Sequence, residues 1–162
     1  MQQKKMVNEM LSTYIRQAAK LIFAGAFLFL SAQFSVHAQA KTPVTKQIHF
    51  ADQQWEKTLQ LAKKQHRLIF VDAYAVWCGP CRDLKTKTFR NSKVASYFNS
   101  HFVNVSLDME KGEGLKFAEK YEVDSYPTLL LINGDGNVVS KSEGFFTADE
   151  LNSWAKKAET KS

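Results

Sequence analysis

The sequence predicts an α/β domain, with a mixed central β-sheet covered by helices on both faces. Three observations carry that prediction. Residues 68–75 and 128–132 are apolar runs with the unbroken character of strands buried on both sides. Segments with helical spacing of apolar residues alternate with the strand-like runs. The cluster Asn133-Gly134-Asp135-Gly136-Asn137 is a strong hairpin signal, so the sheet closes with an antiparallel pair.

The elements follow in order. Ile48 to Phe50 offers a short first strand. Asp52 is suited to cap a helix running to about Gln65, with Trp55, Leu59 and Ala62 along one face. The strand at 68–75 comes next, and a helix is expected to begin around Cys78 and break near Arg90-Asn91. Ser92 would cap a second short helix over 93–99. Residues 102–107 alternate as a strand, 108–114 form a polar loop and 115–121 a helix. The strand at 128–132 turns through the hairpin into Val138-Val139-Ser140. Thr147-Ala148-Asp149-Glu150 is a capping box for a last helix, with Leu151, Trp154 and Ala158 facing inward.

The chain has 162 residues, room for one domain with a proper core. Its net charge of +6 is divided between two regions. Residues 1–40 hold Lys4, Lys5, Arg16 and Lys20 against Glu9, and the remainder carries 18 basic and 15 acidic side chains. No clustered basic patch appears, which argues against a nucleic-acid partner.

Residues 1–40 read as an export signal. A basic stretch leads into the apolar run at 21–30, followed by the small-residue cleavage patterns Val36-His37-Ala38 and Ala38-Gln39-Ala40. The apolar core is short for a membrane span of about 20 residues, so cleavage is the expectation. An uncleaved membrane anchor is the alternative. Residues 41–47 would link this segment to a domain over 48–162. Either form places the domain outside the cytoplasm, in a periplasmic setting.

Both cysteines of the chain fall within Trp77-Cys78-Gly79-Pro80-Cys81. A disulfide closing so small a loop removes little entropy from the unfolded chain, so redox chemistry explains the pair better than stapling. Thiol–disulfide exchange needs a thiolate to attack a disulfide sulfur through a mixed disulfide. A helix N-terminus favours that thiolate, because unpaired N–H groups and the helix dipole stabilise negative charge there. Cys78 is therefore the expected attacking thiol. Cys81, on the same helical face, is the expected resolving thiol. Gly79 allows a substrate backbone to approach, and Pro80 early in the helix loses no hydrogen bond. Structural zinc requires four ligands. With no second cysteine pair and with scattered histidines, no metal and no separate cofactor is expected beyond the Cys78–Cys81 dithiol.

These residues resemble the thioredoxin family. Trp77-Cys78-Gly79-Pro80-Cys81 matches the family's active-site motif letter for letter. Val71-Asp72 stands where the family has a buried acid. Val123-Asp124-Ser125-Tyr126-Pro127-Thr128 is similar to its cis-proline segment, and Gly144 to the glycine after its last hairpin. The likeness covers residues 48–158 and implies a thioredoxin fold. It also implies a cis Pro127 packed against the cysteine pair, with the peptide at Tyr126 pairing with an extended substrate. An ordinary trans turn is the alternative for Pro127. Burial would raise the pKa of Asp72 and let it take a proton from Cys81; an outward-facing carboxylate is its alternative. Trp77 would shield the disulfide and form part of the substrate surface, or simply pack. One departure is plain: Asn104 aligns where family members often carry a lysine, which leaves a lysine-assisted proton relay without its usual residue. Tyr126 is also bulkier than is usual before the cis-proline.

The expected activity is that of an exported thiol–disulfide oxidoreductase, acting mainly as a reductant of disulfide-bearing client proteins. A membrane thiol relay would supply its electrons, and a monomer is expected. A disulfide-forming oxidase or isomerase is the first alternative, and a peptide-binding or chaperone-like module without turnover the second.

Overall fold

The computed structural model describes residues 46–52 and 54–161, together with Glu9, Met10 and Arg16. The chain divides into two units, Met1–Thr42 and Pro43–Ser162. In the first, Glu9, Met10 and Arg16 are helical and exposed. The expected export signal, its cleavage patterns and most of the linker lie outside the described residues. Among the described residues no helix is long and apolar enough to cross a membrane.

The second unit is built on β1 (Leu68–Tyr74), β2 (Phe102–Asp108), β3 (Thr128–Ile132) and β4 (Val138–Glu143), in the sheet order β2-β1-β3-β4. β1 pairs parallel with β2 and antiparallel with β3, and β3 pairs antiparallel with β4. The sheet is therefore mixed, as expected. Side-chain alternation along β1 sorts the core into two layers. Ile69, Val71 and Ala73 pack with α1 (Trp55–Gln65) and α4 (Glu113–Tyr121). Leu68 and Phe70 pack on the other face with α2 (Gly79–Thr86), α3 (Ser92–His101) and α5 (Ala148–Glu159). Phe70 anchors that second layer. Its ring lies 4.7 Å from Phe98 and 5.9 Å from Phe89, and full burial of one such ring is worth about 1.5–3 kcal/mol.

Three local expectations are corrected. Residues 48–50 form no strand. The Ile48 N–H donates to the Phe89 carbonyl and the Ala51 N–H to the Asn104 carbonyl, both at 2.8 Å. The two acceptors belong to different elements, so no ladder develops. Asp52 does not cap α1; the N-cap is Gln54, which makes no side-chain capping bond. Glu113 of α4 instead accepts from the Trp55 N–H at 2.9 Å. Ser92 is already inside α3. Asn91 caps that helix, its Oδ1 accepting from the N–H groups of Lys93 and Val94 at 3.0 and 3.3 Å. A 3-10 turn at Thr88–Arg90 separates α2 from α3.

The hairpin and the last helix form as predicted. Asn133 Oδ1 accepts from the N–H groups of Asp135 and Asn137 at 3.1 and 2.9 Å, and Gly136 supplies the positive φ of +84°. Thr147 and Glu150 form the reciprocal capping box at the start of α5.

Candidate active site

β1 ends at Tyr74, and the chain turns sharply into α2. Cys78 is the N-cap of that helix, with extended backbone, and Gly79 and Pro80 occupy its first turn. The Cys78 Sγ accepts from the Cys81 N–H at 3.1 Å. A sulfur thus fills the role that Ser or Asp usually plays at a helix start. The two cysteines are joined as a disulfide. Both are almost fully covered, at 3% and 1% exposure, while Trp77 beside them is 65% exposed. Ala75, Tyr74 and Tyr126 complete the small apolar cluster around the sulfurs.

Opposite the disulfide, the Tyr126–Pro127 peptide is cis, as the family likeness implies. Pro127 is buried and Tyr126 half-buried. The Tyr126 ring meets Trp77 edge-to-face at 5.9 Å, and the Trp77 Nε1–H donates to Glu110 Oε1 at 2.9 Å. Burial, then the carboxylates of Glu110 and Asp108, push the Tyr126 hydroxyl pKa up. Gly144, at φ +91°, donates its N–H to the Pro127 carbonyl at 2.8 Å. This bond ties the proline loop to the chain that follows β4.

Asp72 is fully buried in β1 on the α2 side. Its Oδ2 accepts from the Ser106 hydroxyl at 2.8 Å and lies 3.6 Å from Lys85 Nζ. Its Oδ1 is buried without a partner. Desolvation raises the carboxyl pKa, opposed by the Lys85 charge and the Ser106 hydrogen bond. Lys85, on α2, shifts the other way: burial lowers it and Asp72 partly restores it. Its ammonium also sits 2.9 Å from the centre of the Tyr74 ring, a cation–π contact.

Asn104 takes no part in this group. It pairs with Phe70 in the ladder, and its Nδ2 donates to the carbonyls of Phe98 and His49 at 3.3 and 3.4 Å. It ties β2 to α3 and to the chain entering the domain. Two residues at the site escape a reading of the sequence. Lys85 had a usable signal, since it follows Cys81 by one helical turn and shares its face. Glu110 had none beyond lying in a polar loop. Among the described residues no group of three or more His, Cys, Asp or Glu side chains could hold a metal ion.

A model of the Thioredoxin family matches residues 46–157. The chain belongs to the thioredoxin family. This family member is similar to a solved putative disulphide-isomerase from Bacteroides thetaiotaomicron, with 42% identity and a TM-score of 0.65 over 73% of this chain and 98% of that one. It is also similar to thioredoxin NaTrxh from Nicotiana alata, at 30% identity and a TM-score of 0.54 over 70% and 93% of the two chains. Among curated proteins, it is 30% identical over 100 residues to the thiol:disulfide interchange protein DsbD of Haemophilus influenzae. That match covers 60% of this chain and 17% of the relative. Family, fold and relatives support a protein-disulfide oxidoreductase, and the Cys78–Cys81 disulfide fits the Cys-x-x-Cys pair of such proteins.

Proposed function

We propose that this thioredoxin-family chain is exported and works mainly as a reductant of client-protein disulfides. The observation that carries the reading is a Cys78-Gly79-Pro80-Cys81 disulfide at the head of α2, with Cys78 as its N-cap. After reduction, the same N–H groups favour a Cys78 thiolate. That thiolate attacks a client disulfide and forms a mixed disulfide. Cys81 then yields its proton to Asp72, directly or through water, and its sulfur attacks Cys78. The Cys78–Cys81 bond forms and the client sulfur leaves as thiolate. Asp72 suits this task because burial raises its pKa toward the working range. Trp77, Gly79, Pro80, Tyr126 and Pro127 would frame the client, with the backbone at Tyr126 pairing with an extended segment and Gly144 bracing it. The chain acts as a monomer and is recharged by a membrane thiol relay. Its basic and apolar leader over residues 1–40 supports export.

A second reading is specifically favoured by the similarity to a putative disulphide-isomerase: net isomerisation or oxidation through the same cysteines. Equilibration against a glutathione series separates the two. The reductant reading expects a potential near the thioredoxin value of about −270 mV, whereas roughly −180 to −120 mV would reject it. Cys81→Ser should stall with clients bound to Cys78. Recovery of clients through Cys81 instead would reverse the assignment of the two thiols.

A further inference from the structure

Lys85 lies beside the buried carboxylate of Asp72. Its stem crosses from α2 to the underside of β1, and its ammonium rests between the Tyr74 ring and Asp72, 2.9 Å from the ring centre and 3.6 Å from Oδ2. The lysine is part-exposed, at 34%, while the carboxylate is fully buried. The cation therefore remains in reach of solvent, and the acid does not. Asp72 Oδ1, the oxygen without a partner, is the open acceptor of this group. Oδ2 is already engaged by Ser106 and Lys85.

We propose that Lys85 is a positioning residue for resolution: its ammonium keeps the buried Asp72 carboxylate ionised, so that Oδ1 is free to accept the Cys81 proton. The inference rests on the reading of Asp72 as that acceptor. A buried carboxylate with no cation beside it is driven to its neutral form, and a neutral acid cannot take a second proton. An opposite charge within about 4–6 Å favours the ionised form by about one to three pH units. The lysine reaches the acid from the helix, while the sheet position aligned with the family's lysine holds Asn104, which is engaged with α3. The step itself balances with no added reagent. The proton moves from the Cys81 sulfur to Asp72, a sulfur–sulfur bond forms between Cys78 and Cys81, and the Cys78–client bond breaks with its electron pair leaving on the client sulfur.

Other groups also bear on the pair. On β1 the Tyr74 hydroxyl is held protonated by burial and by Asp108 and Asp72. At the end of β2, Asp108 acts on Lys85 and is itself 3.6 Å from Lys111. On α2, Arg82 and Cys81 lie three and four positions before Lys85 on the same helical face, and Asp83 pairs with Lys87.

The test is stopped-flow resolution of a preformed mixed disulfide on Cys78, followed across the acid and neutral range. Lys85→Met should move the acidic limb of the rate profile upward by about one to three pH units. Near neutral pH it should slow resolution about tenfold or more, while the initial attack by Cys78 stays within about twofold. Lys85→Arg should restore the profile. Asn104→Ala should leave it in place. In an Asp72→Asn background, Lys85→Met should add nothing, since both act on one group. A Lys85→Met profile superimposable on the parent's, or an equal slowing in the Asp72→Asn background, would overturn the proposal. If Asp72→Asn alone leaves resolution unchanged, the reading of Asp72 beneath it is what fails. Carboxyl NMR titration of Asp72 in Lys85→Gln reads the same upward shift without turnover, and an unmoved Asp72 titration would equally overturn the proposal.

Discussion

Trp77 and Glu110 show how a residue's role depends on chain that returns from elsewhere. The indole is largely exposed beside two covered sulfurs, and its Nε1–H is held by a carboxylate from the loop after β2. That bond fixes the ring beside the covered sulfurs. Glu110→Ala is expected to change stability by no more than about 0.5 kcal/mol. It should raise KM for a protein client more than it lowers kcat. A fall in kcat at constant KM, measured in steady-state reduction of a folded client, would remove the pair from the client surface. Asp72 was legible in the sequence because an acid inside an apolar strand is an anomaly that chemistry must explain. Glu110 was not, because a residue in a polar loop gains meaning only once that loop is docked; Lys85 was signalled by its spacing from Cys81, but its pairing with Asp72 emerges only once α2 docks on β1.

At the scale of elements, some local signals disclosed their structure while others, Asp52 and Ser92 as caps, misled, and tertiary ones left no trace in the sequence. Thr147 and Glu150 cap α5 with atoms from one turn, so their spacing discloses them. The start of α1 draws its acceptor from Glu113, 58 positions away, which no local pattern contains. The start of α4 is equally constrained. A Cβ on Gly114 would stand 1.9 Å from the Asp108 carbonyl oxygen and 2.6 Å from its carbon, both backbone atoms at the end of β2. Gly114→Ala should therefore cost about 1–3 kcal/mol or more, as overpacking that only backbone movement can relieve. The urea midpoint measures it, and a loss under about 0.5 kcal/mol would show that α4 begins more loosely than its contacts with β2 imply.

Over the molecule as a whole, the strand runs disclosed the sheet, but not which strand stands where. The order β2-β1-β3-β4 makes β1 central, so an acid on β1 is covered on both sides. Folding stability is then linked to the protonation of Asp72. Its folded-state pKa is raised by desolvation, so the native state binds the proton more readily than the unfolded chain does. The stability this group contributes is present below its unfolded pKa of about 3.9 and is lost as pH rises through the raised folded value. Asp72→Asn should therefore stabilise the oxidised protein near neutral pH, because it removes the charge whose burial raises the carboxyl pKa. The advantage should fade as pH falls toward about 4. Equal denaturant midpoints for the two proteins near neutrality would mean that Lys85 and Ser106 fully offset the burial. The short segment at 48–50 was misread as a strand for a related reason: its apolar residues do enter the core, but its backbone bonds go to two separate elements.

On the proposed reaction, the sulfur that caps α2 changes its charge during turnover. In the disulfide, Cys78 Sγ is a neutral acceptor for the Cys81 N–H. As a thiolate it presents a full negative charge to the same donor, and charge-assisted hydrogen bonds are roughly twice as strong as neutral ones. That one hydrogen bond is accordingly expected to be stronger in the reduced protein than in the oxidised one. The Cys81 amide becomes a gauge of oxidation state, its hydrogen exchange slowing when the thiolate forms. Identical exchange rates in the two forms would show a cap indifferent to charge.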